Sequence, residues 1–179
     1  MRFASITSAF VVVLTARLWR DPNQMDMMNH NARVVTVLMA DDDSDDCVLV
    51  KDALSENGFT IDLRFVEDGE ELMEYLRRRG RYRDSTSSPH PNLILLDLNM
   101  PKKDGREALR EIKSDPRLRM IPIVILTTSN EEEDIRYSFD MGASSFITKP
   151  ESFDRLVELM QSLSEYWSDS SVEPEKQAS

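Results

Sequence analysis

Five short apolar runs, separated by stretches of helical period, constrain this chain more than any other feature. The runs fall at 34–40, 61–65, 93–96, 123–126 and 146–148. Four of them end on a polar group: Asp41-Asp42-Asp43, then Asp97, Thr127 and Lys149. Between them lie amphipathic segments. Cys47, Val50, Ala53 and Leu54 form a stripe over 44–56, with Gly58 placed to close it. Asp68-Gly69 opens a second helix through Leu72, Tyr75 and Leu76, and Ala108, Leu109 and Ile112 mark a third, stopped by Pro116. Asn130 is the expected cap of a fourth, whose first turn carries Glu131, Glu132 and Glu133 and whose end is Gly142. Phe153, Leu156, Val157, Met160, Leu163 and Trp167 fall on one face of a fifth. The second run alternates Ile61, Leu63 and Phe65 with Asp62 and Arg64, as an edge strand should. Repeated β-α units predict a parallel sheet covered by helices on both sides. The pattern alone leaves the strand order open.

A carboxylate closing a buried strand costs free energy unless a donor, a metal or chemistry compensates it. In open parallel sheets, ligands bind outside the carboxyl ends of the strands. Acids, a hydroxyl and an amine ending different strands therefore point at one shared site.

Composition narrows what that site can be. The chain has 179 residues and a formal net charge of −11, which argues against a nucleic-acid binder needing clustered cations. Cys47 is the sole cysteine, so no internal disulfide and no cysteine zinc site can form. His30 and His90 are too few for a histidine metal cluster, and no glycine-rich nucleotide cradle is present. Length predicts one domain, at 34–167, with tails. Residues 1–33 read as an extension, disordered or preceding the true start at Met25, Met27 or Met28. Its apolar stretch is too short to span a membrane. Residues 168–179 are Ser- and acid-rich and read as a disordered tail.

The acid pair Asp41-Asp42, the Asp97-Leu98-Asn99-Met100-Pro101-Lys102-Lys103-Asp104-Gly105 segment, the Thr127-Thr128 step and the Lys149-Pro150 step occur in that order. Together they resemble a response-regulator receiver domain, over about 34–167. The extended segment 77–91, the wording of the Asp97 segment and the late Tyr166-Trp167 are similar to the small stand-alone regulators of bacterial phytochromes. The resemblance implies a flavodoxin-like, doubly wound α/β fold: five parallel strands in the order 2-1-3-4-5, with five helices. It implies a two-component regulator that takes a phosphoryl group from a sensor histidine kinase on Asp97. Mg²⁺ would be held by Asp42 and Asp97, by Asp41 mainly through water, and by the backbone carbonyl of Asn99. Lys149 and Thr127 would each pair with a phosphoryl oxygen. Thr127 and Phe146 would carry the switch, Phe146 without the hydroxyl that a tyrosine brings. Asn99 and Ser129 stand at the family positions that tune phosphoryl lifetime. The implied partners are a histidine kinase, with a phytochrome-type sensor as the sharper version, a downstream target or phosphotransfer protein, and a second copy as a further candidate. No nucleic acid, no membrane and no output domain after Trp167 are expected, and the implied compartment is the cytoplasm. The chain would be a signalling module that catalyses its own phosphorylation and a slow autodephosphorylation rather than an enzyme proper.

Other readings compete. Asp41–Asp43 alone could be a loop with Asp43 or Ser44 capping a helix, and Asp97 could cap the turn after it. A receiver-like module that binds partners without phosphorylation is one alternative. An aspartyl phosphatase of the haloacid dehalogenase type is another, although that family wants an acid where Asn99 stands. The run Arg77, Arg78, Arg79, Arg81 and Arg83 reads as cations favoured at a helix C-terminus, with a kinase-docking patch as the sharper version. Tyr166 and Trp167 are candidate dimer anchors, and Cys47 a small buried hydrophobe.

Overall fold

In the computed structural model, residues 34–56, 61–86 and 88–169 are described, with side chains to 163. Strands and helices alternate: β1 (Val35–Ala40), α1 (Ser44–Glu56), β2 (Ile61–Val66), α2 (Gly69–Leu76), β3 (Leu93–Leu96), α3 (Gly105–Ser114), β4 (Ile123–Thr127), α4 (Glu132–Asp140), β5 (Ser145–Thr148) and α5 (Phe153–Asp169). The sheet is parallel throughout, in the order β2-β1-β3-β4-β5. This is the order the resemblance implied. The chain winds outward from β1 in both directions, so a crevice opens at the carboxyl ends of β1 and β3, where the winding reverses.

Strand periodicity sorts the core into two layers. Leu38, Ala40, Ile94, Leu96, Ile123, Ile125 and Phe146 face α2, α3 and α4, meeting Leu72, Leu109 and Ile112. The intervening Val37, Met39, Leu93, Leu95, Val124, Leu126 and Ile147 face α1 and α5, meeting Val50, Leu54, Leu156 and Met160. Each such aliphatic side chain, once buried, contributes about 1.5–3 kcal/mol. That is why the central strands read as continuous apolar runs and only β2, at the edge, alternates.

The helix starts follow local chemistry. Asp43 Oδ1 accepts from Asp45 N at 2.8 Å, Asp68 Oδ1 from Glu71 N at 2.8 Å, and Asp104 Oδ1 from Glu107 N at 2.8 Å. Three aspartates thus cap α1, α2 and α3. α4 departs from expectation. Its N-cap is Glu131, without a side-chain cap bond, and Asn130 lies outside the helix. The Ser129 hydroxyl accepts from Glu131 N at 3.4 Å instead, so the loop is held one residue earlier than the asparagine. Gly142 closes α4 with φ +92.

Four details of the sequence reading shift. β1 begins at Val35, with Val34 54% exposed, and β5 begins one residue early, at Ser145. Phe65 and Phe153 lie exposed rather than packed; the first sits on the edge strand and the second on the first turn of α5. Arg77 pairs with Glu111 at 2.6 Å, and Arg81 pairs with Glu71 and stacks over the Tyr82 ring. These two arginines therefore tie the end of α2 to α3 and to the following turn. Gly58 and the side chains of Tyr166 and Trp167 lie outside the described residues, as do 1–33 and the tail from 170. Among the described residues no helix is long and apolar enough to cross a membrane.

Gly105 begins α3 where the chain has no room for a side chain. A Cβ there would stand 2.0 Å from the Asp97 carbonyl oxygen and 2.7 Å from Leu98 Cα, both backbone atoms that cannot swing away. We expect Gly105→Ala to lower stability by about 2 kcal/mol or more, at the upper end of overpacking costs. Urea unfolding of the two proteins at one temperature measures it, and an unchanged midpoint would mean that α3 is not seated against the Asp97 loop as described.

Candidate functional site

Ladder hydrogen bonds bring the polar strand ends together. Asp41 N donates to Val66 O at 3.0 Å, Asp97 N to Ala40 O at 3.0 Å, and Lys149 N to Thr127 O at 2.8 Å. Each polar residue is thereby fixed by a neighbouring strand as well as by its own. Asp41 and Asp97 are buried, at 2% and 5% exposure, while Asp42 lies open to solvent. Asp41 Oδ1 accepts from Asp43 N at 3.0 Å, and Asp97 Oδ1 from Asn99 N at 3.1 Å. Their second oxygens both face the Lys149 ammonium.

That ammonium is shared among three carboxylates. Lys149 Nζ lies 2.7 Å from Asp41 Oδ2, 2.6 Å from Asp46 Oδ2 and 3.0 Å from Asp97 Oδ2. The contacts with Asp46 and Asp97 are hydrogen bonds. Asp41 Oδ2 has the distance of an ion pair but not the geometry of a hydrogen bond, and it has no other partner. Burial pushes the Asp41 carboxyl up to about 6, against the pull of Lys149 and of the Asp43 N–H. Burial works against the charged form of Lys149 too, but its contacts with Asp41 and Asp46 and the charge of Asp97 outweigh it and hold the amine above its usual range.

The charge does not balance. Three carboxylates (Asp41, Asp46 and Asp97) contact one amine, and a fourth, Asp42, stands beside Asp41 and Asp97. Oxygens of Asp41, Asp42 and Asp97 lie within 4.8 Å of one another, an all-oxygen set suited to a hard divalent cation. The excess negative charge and the orphaned oxygen of Asp41 both fit such an ion. Cys47, half-buried next to this cluster, is pushed up to about 12 by burial and then by the Asp41 charge, which favours its neutral thiol form.

Of the remaining expected residues, Thr127 is fully buried, and its hydroxyl accepts from Ser129 N at 3.3 Å. Phe146 is packed inward with the core on the α4 side. Asn99 is exposed on the rim of a cleft that it shares with Ser129. Asp41, Asp42, Asp97 and Lys149 therefore meet at one point, Thr127 ends the neighbouring strand, and Phe146 lies in the layer behind.

Three features escaped the sequence reading. Asp46 looked like an ordinary first-turn acid of α1, yet it binds Lys149 across 103 residues of chain. Arg106 grips Asp134 through Nε to Oδ1 at 2.7 Å and Nη2 to Oδ2 at 2.6 Å, and Ser129 Oγ donates to the same Oδ2 at 2.6 Å. Lys102, at φ 60, reaches Asp68 Oδ2 at 2.6 Å and ties the Asp97 loop to α2. The acids concerned also satisfy a helix dipole or a cap, and that simpler role hid the other.

The chain is similar to proteins of known kind. The model of the response regulator receiver domain matches residues 37–161. The response regulator Rcp1 of Synechocystis sp. is 40% identical over 131 residues, covering 73% of this chain and 87% of that protein. The phosphorylated cyanobacterial phytochrome response regulator RcpA superposes with a TM-score of 0.72 at 39% identity, over 80% of this chain and 100% of that one. The Mn²⁺-bound form of response regulator Rcp1 gives 0.70 at 38% identity, over 79% and 99%.

The Asp134 network carries a pH signature. The Arg106 guanidinium, and then the Ser129 hydroxyl, hold the Asp134 carboxyl below its usual range despite burial. A carboxylate with a lowered folded-state value contributes stability that is complete above its unfolded value and lost as pH falls through the folded one. Asp134→Asn should therefore cost about 1–3 kcal/mol at pH 7, the worth of hydrogen bonds to charged groups. It should also flatten the fall in stability below about pH 4. Urea unfolding from pH 7 to pH 2.5 would show the two curves converging in acid; parallel curves would refute the assignment.

Proposed function

The chain belongs to the response regulator receiver domain family, and from that premise we propose that Asp97 is its phosphoacceptor. It is a signalling module of a two-component system, and phosphorylation on an aspartate by a kinase is what this family does. Its partner is a cognate histidine kinase. A phytochrome-type sensor is the kinase we favour, because the similar RcpA is a phytochrome response regulator.

The observation that carries the assignment is the meeting of Asp97 Oδ2 with the Lys149 ammonium at 3.0 Å, beside the acids of β1. In the proposed reaction an Asp97 oxygen forms a bond to phosphorus as the phosphorus–nitrogen bond of the kinase phosphohistidine breaks, its electron pair staying on the imidazole. Asp41, Asp42, Asp97 and the backbone carbonyl of Asn99 would hold the divalent cation. Receiver domains bind such an ion, Mn²⁺ occupies the similar Rcp1, and we propose Mg²⁺ here. When bound, it offsets negative charge on the transferring phosphoryl group. Lys149 exchanges a carboxylate partner for a phosphoryl oxygen, and the Thr127 hydroxyl, now occupied by Ser129 N, turns to another. Such catalysis is positioning and electrostatics. Autodephosphorylation would be slow, since Asp41 and Asp42 would be taken up in holding the cation and neither Asn99 nor Ser129 is an acid.

The proposed output follows from packing. Thr127 is fully buried and Phe146 lies buried on the adjacent strand opposite Ile125, so drawing the threonine outward would empty space for the ring to take. The surface of α4, β5 and α5 would change with it, for a downstream protein or a second copy of the chain to read. This is a shift between two populations, driven by the different contacts of the phosphoryl group in each.

Two measurements test the reading. Intact mass after incubation with Mg²⁺ and acetyl phosphate should show one added phosphoryl group in the wild type and none in Asp97→Asn; addition to both, or to neither, sinks the assignment. Mg²⁺ should also raise the thermal midpoint, by the equivalent of about 1.4 kcal/mol at ten times its Kd. Asp42→Asn, an exposed substitution, should remove most of that rise while leaving the metal-free midpoint near or above wild type, because it relieves repulsion.

A further inference from the structure

The cleft beside Asn99 encloses about 300 Å³ and is lined by two carboxylates, the exposed Glu131 and the buried Asp134, and by the Ser129 hydroxyl, which is bonded to Asp134. Asp134, buried to 6% exposure, has Oδ1 bonded by Arg106 Nε and Oδ2 bonded by Arg106 Nη2 and Ser129 Oγ. A carboxylate accepts about four hydrogen bonds in all, so this one is nearly full. The Ser129 proton is spent on Asp134, and its oxygen faces Glu131 N. The network is anchored to the loop after β3 and to the end of β4. Arg106 Nη1 reaches Leu98 O at 3.5 Å, one residue past Asp97, and Ser129 N is bonded to Thr127 at the end of β4. Arg106 itself follows Gly105, whose position would bring a side chain onto the Asp97 carbonyl.

We propose that Arg106 is a positioning residue that prolongs the life of a phosphoryl group on Asp97, by occupying Asp134 and through it Ser129 so that neither orients the hydrolytic water. The inference rests on the reading of Asp97 as phosphoacceptor. In hydrolysis the oxygen of water bonds to phosphorus as the bond from phosphorus to the Asp97 oxygen breaks. The electron pair of that bond returns to the carboxylate, inorganic phosphate leaves, and a proton of the water passes to solvent. Freed of its partners, the Asp134 carboxylate would accept a hydrogen bond from that water, aim its lone pair and ease the proton away. The planar guanidinium prevents this twice over. It neutralises the Asp134 charge, and its two parallel bonds take one lone pair on each oxygen. The same pair also joins the first turns of α3 and α4, which raises the competing account that Arg106 is only a splint.

The two accounts differ in a double variant. The proteins are phosphorylated with acetyl phosphate and Mg²⁺, the donor is removed by desalting, and loss of the phosphoryl group is followed by intact mass at pH 7. Arg106→Met frees Asp134 and should shorten the lifetime about tenfold, short of the ~10²-fold at which well-placed general bases begin. Arg106→Lys keeps the charge without the fork and should give an intermediate lifetime, about threefold shorter; it stands in if the methionine variant does not fold. Adding Asp134→Asn to Arg106→Met removes the liberated carboxylate and should bring the lifetime back to within about twofold of wild type, although a splint would remain broken. Wild-type lifetimes in both single Arg106 variants, or a double variant as short-lived as Arg106→Met, would overturn the proposal in favour of the splint. Failure of the wild type to acquire a phosphoryl group would show at the first step, before any lifetime is read, and would overturn the phosphoacceptor reading and this proposal together.

Discussion

The Lys149 ammonium holds together charges that would otherwise force the sheet ends apart. Three carboxylates from β1, α1 and the end of β3 converge on one nitrogen within 3.0 Å. At such separations, away from bulk water, like charges repel by several kcal/mol, and the single amine offsets only part of this. Burial raises the Asp41 carboxyl to about 6, against the pull of the lysine. A site built this way is stable enough to fold but short of positive charge. It is therefore suited to a divalent cation, which Asp41, Asp42 and Asp97 would hold and which would supply the missing positive charge. Its reactivity and its electrostatic discomfort have one cause.

The precision comes from backbone. The ladder bonds of Asp41, Asp97 and Lys149 to neighbouring strands set their spacing before any side chain is chosen. Glycines then allow helices to start close by. Gly69 lies against the Lys103 carbonyl, bonded to it through its own N–H at 3.0 Å, and Gly105 lies against that of Asp97. Lys102, in the left-handed region and paired with Asp68, completes a loop stapled at both ends. The Asp97 loop is thus rigid from beneath, while Asn99 and the β4–α4 loop line an open side. Control over water falls to that open side, which is where Arg106, Asp134 and Ser129 form their network.

Much of this was legible beforehand, for a definite reason. Alternating runs of period two and period 3.6 reflect which side chains must leave water, and a parallel sheet flanked by helices is the arrangement that satisfies them all. The placement of Asp97, Thr127 and Lys149 at strand ends followed from the same pattern, and the strand order came through the resemblance rather than from periodicity. Errors gathered where burial is decided by neighbours rather than by the residue. Phe65 and Phe153 are apolar and exposed because nothing in the described chain covers the sheet edge or the start of α5. Asn130 was a good cap by type, but Ser129 holds the loop and Glu131 begins the helix.

The sequence by itself determined the elements, their layering and the chemistry available at the carboxyl ends of the strands, because local propensity and hydrophobic period depend on neighbours a few residues away. Only the tertiary structure decided which acids share Lys149 and which arginine silences Asp134. Those choices span 103 and 28 residues of chain and turn on distances of a few tenths of an ångström. A first-turn aspartate suits a helix dipole whether or not a distant cation reaches it, so residue type alone cannot separate Asp46 and Asp134 from their neighbours. Coulomb's law acts on separations in space, and the fold sets those separations.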